Sequence, residues 1–306
     1  MTSGSSRASV AVGLIQDASG GDVAASVAAT ISRIREAARR GAQIICLKEL
    51  FSAPYFAKSL KQEYFNLAEP IPGPTTDALG TVAAELQVVL VVPMYEREGP
   101  GVYRNSAVVI DADGTLLGVY RKMHIPHDPM FEEKYYFAPG DAVTDGPGTA
   151  DGFKVWKTRY ATIGVLICWD QWYPEAARIT SLLGAEILFF PTAIGWHPAE
   201  KAEWGAAQVD AWRIAQRAHA IANGVFVAAV NRVGMEPEPG TQGLEFFGHS
   251  FVCDSFGRYV AKAGSDPAIL VASCDLRLIE STRRNWPFLR DRRIDAYGSV
   301  LRRWIG

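Results

Sequence analysis

No apolar run in this 306-residue chain approaches the roughly 20 residues a membrane-spanning helix needs. Neither sign of charge is in excess, since 31 Lys and Arg stand against 33 Asp and Glu, a formal net charge of −2. That balance argues against nucleic acid as the main partner, because there is no global positive surplus to neutralise phosphates. Cysteine is sparse: Cys46, Cys168, Cys253 and Cys274 form no C-x-x-C pair and match no zinc spacing, so no metal is expected. The opening stretch MTSGSSRASVAVGLIQ has one arginine and no apolar core with a cleavage site, unlike a signal peptide. Residues 1–8 are therefore expected to be a disordered lead, and reduced thiols without an export signal point to the cytoplasm. A Pro/Gly/Ser-rich linker is also missing, which implies one domain over residues 9–280 and a tail over 281–306.

What the chain does contain is an ordinary soluble composition, 48% hydrophobic and 21% charged. Strand-like and helix-like segments alternate. Ser9–Gln16, Gln43–Leu47 and Val88–Tyr95 read as strands, with helices over Ala24–Arg40 and Thr75–Leu86 between them. Tyr103–Ile110 and Thr115–Tyr120 flank Asp113-Gly114, a hairpin signal. The second half repeats the order: strands Ala161–Ile167, Ile187–Pro191 and Val225–Asn231, helices Pro174–Leu183 and Lys201–Ala222, then a hairpin of Phe247–Cys253 with Tyr259–Lys262. The repetition predicts two similar layers in one α/β domain.

Three polar residues follow buried strands directly. Glu49 ends IICLKE, Lys122 follows LLGVYR, and Cys168 ends GVLIC. Ligands of α/β sheets gather at the carboxyl ends of strands, so a carboxylate, an ammonium and a thiol can meet in one pocket. Together they are chemically sufficient. A base activates the thiol, and a cation with a backbone N–H stabilises the oxyanion of a tetrahedral intermediate. No histidine is needed. Each residue alone reads more simply, the cysteine as a buried inert hydrophobe and the others as solvated strand ends.

In their order along the chain, KELFSAPYF, YRKMHIP and LICWDQWYPEAAR make it resemble the nitrilase superfamily of carbon–nitrogen hydrolases over nearly its whole length. The resemblance implies a four-layer αββα sandwich and a Glu–Lys–Cys triad at Glu49, Lys122 and Cys168. A second glutamate, in FEEKYYFAPGD, maps to Glu133. Within the superfamily the chain looks most like the N-carbamoylputrescine amidase-like enzymes, through CWDQWYPEAARI, AEILFFPTAIGW, AHAIANGVFVAAVNRVG and RRNWPFLRDRRIDAYG. Such enzymes cleave an N-carbamoyl amine to the amine, carbon dioxide and ammonia without any cofactor. The resemblance implies alternatives too: an N-carbamoyl-β-alanine or ω-amide hydrolase, whose anionic substrate would demand an arginine, or a catalytically silent binding module of the same fold.

Around that triad, Tyr55, Trp169, Asp170, Trp196 and His197 are expected to touch the small-molecule substrate. After PTAIG, members of the resembled group carry Ser-Glu-Pro, with the acid near the substrate's ammonium; here the segment is Trp196-His197-Pro198. Another acid, Glu200 or Asp170, or a cation–π contact must then replace that charge. The tail from Arg283 to Arg303 mixes seven arginines and two aspartates with Trp286, Phe288, Leu289, Tyr297 and Leu301, a composition that predicts a homo-oligomer contact.

Overall fold

β-branched runs buried on both faces form the strands of this protein, and amphipathic segments between them form the helices. The computed structural model describes residues 9–20, 22–142 and 146–306; the expected disordered lead at 1–8 lies outside them. In chain order the strands are β1 (Val10–Gln16), β2 (Ile44–Leu47), β3 (Val89–Gly99), β4 (Val102–Ile110), β5 (Leu116–Arg121), β6 (Thr149–Ala150), β7 (Phe153–Lys157), β8 (Thr162–Val165), β9 (Ile187–Pro191), β10 (Gly195–Trp196), β11 (Phe226–Val230), β12 (Val233–Glu236), β13 (Leu244–Phe247), β14 (Phe251–Cys253), β15 (Tyr259–Lys262) and β16 (Ala268–Cys274). The helices are α1 (Val23–Arg39), α2 (Pro74–Leu86), α3 (Glu133–Tyr136), α4 (Pro174–Leu182), α5 (Lys201–Asn223) and α6 (Arg277–Asn285).

Two large sheets result, one ordered β16-β1-β2-β3-β4-β5 and the other β15-β14-β11-β9-β8-β7-β6. In the first, β1, β2 and β3 are parallel and the β4–β5 hairpin closes one edge. In the second, β8, β9 and β11 are parallel and the β14–β15 hairpin closes the corresponding edge. Strand for strand, β8-β9-β11-β14-β15 repeats β1-β2-β3-β4-β5, the doubled layer that the element order predicts. Helices α1 and α2 pack on the first sheet and α4 and α5 on the second, while β1 meets β11 and β2 meets β9 between the sheets. The result is an αββα sandwich. Side-chain alternation divides its cores: Val89 and Val91 of β3 join the cluster shared with β8, β9 and β11, whereas Leu90 and Val92 join Ile34 of α1 and Leu79 of α2.

Several elements depart from the sequence expectation, β7 and β12 among those it did not include. The single strand expected over Phe247–Cys253 is two, because Gly248 and His249 adopt positive φ (69° and 61°) between β13 and β14. A Cβ at Gly248 would lie 2.6 Å from Val233 Cγ1 and 2.8 Å from Gln16 Nε2, so the chain turns where only glycine fits. Strand β16, the apolar run AILVASC after the turn residues Gly264-Ser265-Asp266-Pro267, was not among the expected strands. It returns from the C-terminal region to pair antiparallel with β1, a contact between residues some 260 positions apart in the register Val10 to Cys274. Helix α6 was likewise unexpected, and it runs through residue 281, where the tail is expected to begin.

Gly164, in β8 behind Cys168, has no room for a side chain: a Cβ there would overlap Thr180 Cγ2 of α4 and sit 3.1 Å from Leu188. Gly164→Ala should therefore destabilise the protein by about 1–3 kcal/mol through overpacking. Urea unfolding checks this, with a lowered midpoint at unchanged slope expected.

Candidate active site

Glu49, Lys122 and Cys168 sit just beyond the carboxyl ends of strands. Glu49 is two residues past β2, and Leu50 after it takes φ 49°, a left-handed conformation uncommon outside glycine. Lys122 follows β5 directly, and its N–H donates to Asn105 O of β4 at 2.9 Å. Glu133 opens the short helix α3. Cys168 starts a tight 3-10 turn three residues past β8 with φ 43°, a strained backbone of the kind that clusters at functional sites.

The Cys168 turn is pinned by Asp170. One carboxylate oxygen accepts from Ile167 N (2.8 Å) and Tyr120 Oη (2.7 Å), and the other from His124 N at 3.0 Å. His124 Nδ1 also lies 2.7 Å from Asp170 Oδ1, and its ring stacks on Tyr173 at 3.8 Å. A single buried carboxylate thus ties the cysteine turn to the end of β5, where Lys122 begins.

Lys122 lies between two carboxylates, wholly removed from solvent. Its ammonium donates to Glu49 Oε1 at 2.8 Å and to Glu133 Oε2 at 2.6 Å. Asn105 Nδ2 donates to the same Glu49 oxygen at 2.7 Å, and Tyr55 Oη donates to Glu133 Oε1 at 2.7 Å. Glu49 Oε2 is left buried without a hydrogen-bond partner, as is Asn105 Oδ1 beside it. A buried acceptor with no donor is costly unless something else occupies it in turnover.

Charge in this cluster is shifted accordingly. Burial alone would lower the Lys122 ammonium, but Glu133, Glu49 and Cys168 outweigh it and its pKa is raised. Burial, together with the Glu49 charge, raises Glu133 despite the opposing Lys122 and Tyr55. Burial also pushes the Cys168 thiol well above its ordinary value, with Glu49 and Glu133 adding to the rise while Lys122 and the Ala193 amide oppose it. Cys168 is therefore a thiol, not a thiolate, at neutral pH, and its proton must leave as it attacks.

A cavity of 320 Å³ opens onto Cys168. Its buried end holds Cys168 and Glu133, with Trp169 beside them; Phe131, Trp172, Ile194 and Phe247 line it, and Asp128, His197 and Glu200 lie towards solvent. The carboxylates of Asp128 and Glu200 have no hydrogen-bond or ion-pair partner among the described residues, and no Lys or Arg lines the cavity. Larger surface grooves of 630 and 660 Å³ contain none of the candidate residues. No group of three or more His, Cys, Asp or Glu among the described residues is arranged to hold a metal ion.

Of the expected substrate contacts, Trp169 and His197 line the cavity; Tyr55, Asp170 and Trp196 do not. Tyr55 is fully buried and spends its hydroxyl on Glu133. Asp170 is fully buried and its carboxylate already accepts several donors. The Trp196 indole donates to Gly205 O at 3.1 Å and packs 5.3 Å from Phe247. Glu49 and Lys122 stand behind Cys168 and outside the lining. Sequence reasoning missed Asn105, which helps choose the engaged Glu49 oxygen, and Arg232, whose guanidinium donates to Glu49 O at 3.0 Å. Arg232 follows the buried strand β11 just as Lys122 follows β5, so the strand-end signal applied there as well.

A thiol, a free carboxylate oxygen and a buried ammonium thus meet at the strand ends of an αββα sandwich. The chain belongs to the carbon–nitrogen hydrolase family, whose model matches residues 11–284. It is 46% identical to the N-carbamoylputrescine amidase of Solanum lycopersicum, covering 95% of each chain. It is 40% identical to a citrullinase of Francisella tularensis, over 97% of this chain and all of the relative. Among solved structures, a carbon–nitrogen hydrolase from Helicobacter pylori G27 superposes with a TM-score of 0.91 at 41% identity, covering 97% of this chain and 100% of that one.

Proposed function

We propose that this protein hydrolyses the ureido group of an N-carbamoyl amine carrying a distal ammonium, with N-carbamoylputrescine as substrate. One observation carries the substrate end of this reading: the cavity runs from Cys168 to two unpartnered carboxylates, Asp128 and Glu200, with no Lys or Arg in its described lining. A cationic tail is attracted there, and a bare carboxylate is not. Glu200 takes the place of the acid missing at Trp196-His197. The anionic alternatives, N-carbamoyl-β-alanine and ω-amides, lack a cation to meet, and a silent binding module leaves the buried Glu49–Lys122–Glu133 cluster without a purpose.

In the proposed mechanism, Glu49 Oε2 takes the Cys168 proton as sulfur attacks the ureido carbonyl. The oxyanion is held by the Lys122 ammonium and the Trp169 N–H. Glu49 then returns the proton to the amine nitrogen, putrescine leaves, and a carbamoyl thioester remains on Cys168. Water deprotonated by Glu49 hydrolyses the thioester, releasing carbamate that decomposes to carbon dioxide and ammonia. Glu133, held by Tyr55, fixes Lys122 throughout. No organic cofactor or metal enters these steps.

A second substrate is favoured by His197. Citrulline carries its ureido group on the same spacer from an ammonium but adds a carboxylate, which the His197 ring lining the cavity can meet with a hydrogen bond. Cys168→Ala should abolish turnover of either substrate in a folded protein. Glu200→Gln should lower kcat/KM for N-carbamoylputrescine about 10- to 100-fold while leaving the uncharged analogue N-butylurea nearly unchanged. Equal losses on both, or undiminished turnover by Cys168→Ala, contradict the assignment; a wild-type preference for citrulline selects the second substrate.

The same reading extends to setting and assembly. Residues 9–280 act as one hydrolase unit in the cytoplasm, and the tail at 281–306 joins copies of the chain. Its Trp286, Phe288, Ile294, Val300, Leu301, Trp304 and Ile305 side chains are all exposed in the single chain, an apolar surface of the sort that interfaces cover. Light scattering should report an oligomer for the full chain and a monomer for a chain ending at residue 285; identical masses contradict the tail's role.

A further inference from the structure

Arg232 is a fully buried cation that neither lines the cavity nor touches Cys168. Its Nη2 donates to Glu49 O (3.0 Å) and Leu50 O (2.9 Å), and its Nη1 to Ala53 O (3.0 Å) and Glu236 Oε1 (2.6 Å). The guanidinium also lies 5.4 Å from the Phe246 ring centre. Three backbone carbonyls of the loop after β2 thus turn inwards onto one planar group, across the left-handed residue Leu50. Glu236 in turn accepts from Tyr55 N at 2.6 Å and from Lys58 Nζ at 3.1 Å.

These contacts close a ring. It runs from Arg232 to the Glu49 backbone, through the Glu49 carboxylate to Lys122, on to Glu133, to the Tyr55 hydroxyl, and through Tyr55 N and Glu236 back to Arg232. Both carboxylates around Lys122 are therefore suspended from one loop, and both ends of that loop are held by the Arg232–Glu236 pair. A buried ion pair is weak evidence for stability, since apolar replacements of similar shape often serve as well, but it can fix a unique geometry. Arg232 Nε remains buried without a partner, so this guanidinium is retained at a cost that packing does not explain.

We infer that Arg232 and Glu236 are positioning residues that set the spacing between Glu49 and Glu133 around Lys122, and thereby the aim of the free Glu49 oxygen at Cys168. The inference rests on the catalytic reading of Glu49 and Cys168 given above. Lys cannot replace Arg here, because one ammonium has no planar fork to span the Glu49, Leu50 and Ala53 carbonyls and Glu236 together.

Steady-state kinetics of Arg232→Lys, Tyr55→Phe and the double variant on the best substrate test the ring. Each single variant should lower kcat about 10- to 100-fold, the effect of a small misplacement of reacting groups, with KM changed less than about threefold. The double variant should lose less than the product of the two losses, because both changes open the same ring. Loss of the Tyr55 hydrogen bond removes a contact that favours ionised Glu133, so protonation sets in at higher pH. The acid limb of kcat/KM should accordingly move up in Tyr55→Phe and in Arg232→Lys alike. Should Arg232→Lys not fold, Glu236→Gln carries the same comparison, because it weakens the link to Tyr55 and leaves the carbonyl cradle in place. Multiplicative losses, an unmoved acid limb, or a folded Arg232→Lys with wild-type kcat would overturn the proposal. Activity in Cys168→Ala would instead remove the catalytic reading beneath it, so the two failures are told apart.

Discussion

The buried Lys122 ammonium, set between Glu49 and Glu133, is the interaction on which the site depends. Two carboxylates this close and out of water cannot both stay ionised without a cation between them. The three residues come from the end of β2, the end of β5 and the start of α3, so their pairing also fixes how the loops over the first sheet lie. From Lys122 the restraint passes along the end of β5 to Tyr120 and His124, and through Asp170 to the turn that presents Cys168. The proposed nucleophile of the second sheet is thereby registered against the proposed base of the first.

This arrangement explains why the chemistry needs no histidine. A depressed thiol pKa would require positive charge near sulfur without competing negative charge; at Cys168 burial, with Glu49 and Glu133 opposing Lys122, pushes the thiol up instead. In the proposed mechanism the cysteine loses its proton only as it attacks, and Glu49, with one oxygen engaged by Lys122 and Asn105, has the other free to receive it. Specificity is separated from chemistry by distance. On the proposed reading, the buried end of the cavity meets the ureido group, and the exposed end, with Asp128, His197 and Glu200, meets what hangs from it.

Much of this was legible before the structure because the repeat of strand order and the polar residues at strand ends are local signals. Glu49, Lys122 and Cys168 each break an apolar run, and the two halves of the chain show the same sequence of elements. Glu133 followed only from family resemblance, since a four-residue helix carries no periodicity. Tyr55, Asp170 and Trp196 were expected to touch substrate but do not line the cavity, because which way each side chain turns is decided by tertiary partners: Glu133, the Tyr120–His124 segment and Gly205. Strand β16 carried a local signal, a Gly-Ser-Asp-Pro turn and an apolar run, that went unread; only its pairing with β1, at the other end of the chain, is long-range. Arg232 went unread although its signal matched that of Lys122, since a single arginine past a strand says nothing of the three carbonyls folded onto it.

The central claim is that the free oxygen of Glu49 deprotonates a neutral Cys168 thiol. The rate at which acrylamide, a small uncharged electrophile, alkylates Cys168 tests it directly, measured by peptide mass at neutral pH in wild type and in folded Glu49→Gln. The account predicts at least a ~100-fold slower reaction in Glu49→Gln, the scale of a lost general base, recovering as pH rises towards the raised thiol pKa. Equal rates in the two proteins at neutral pH would contradict it.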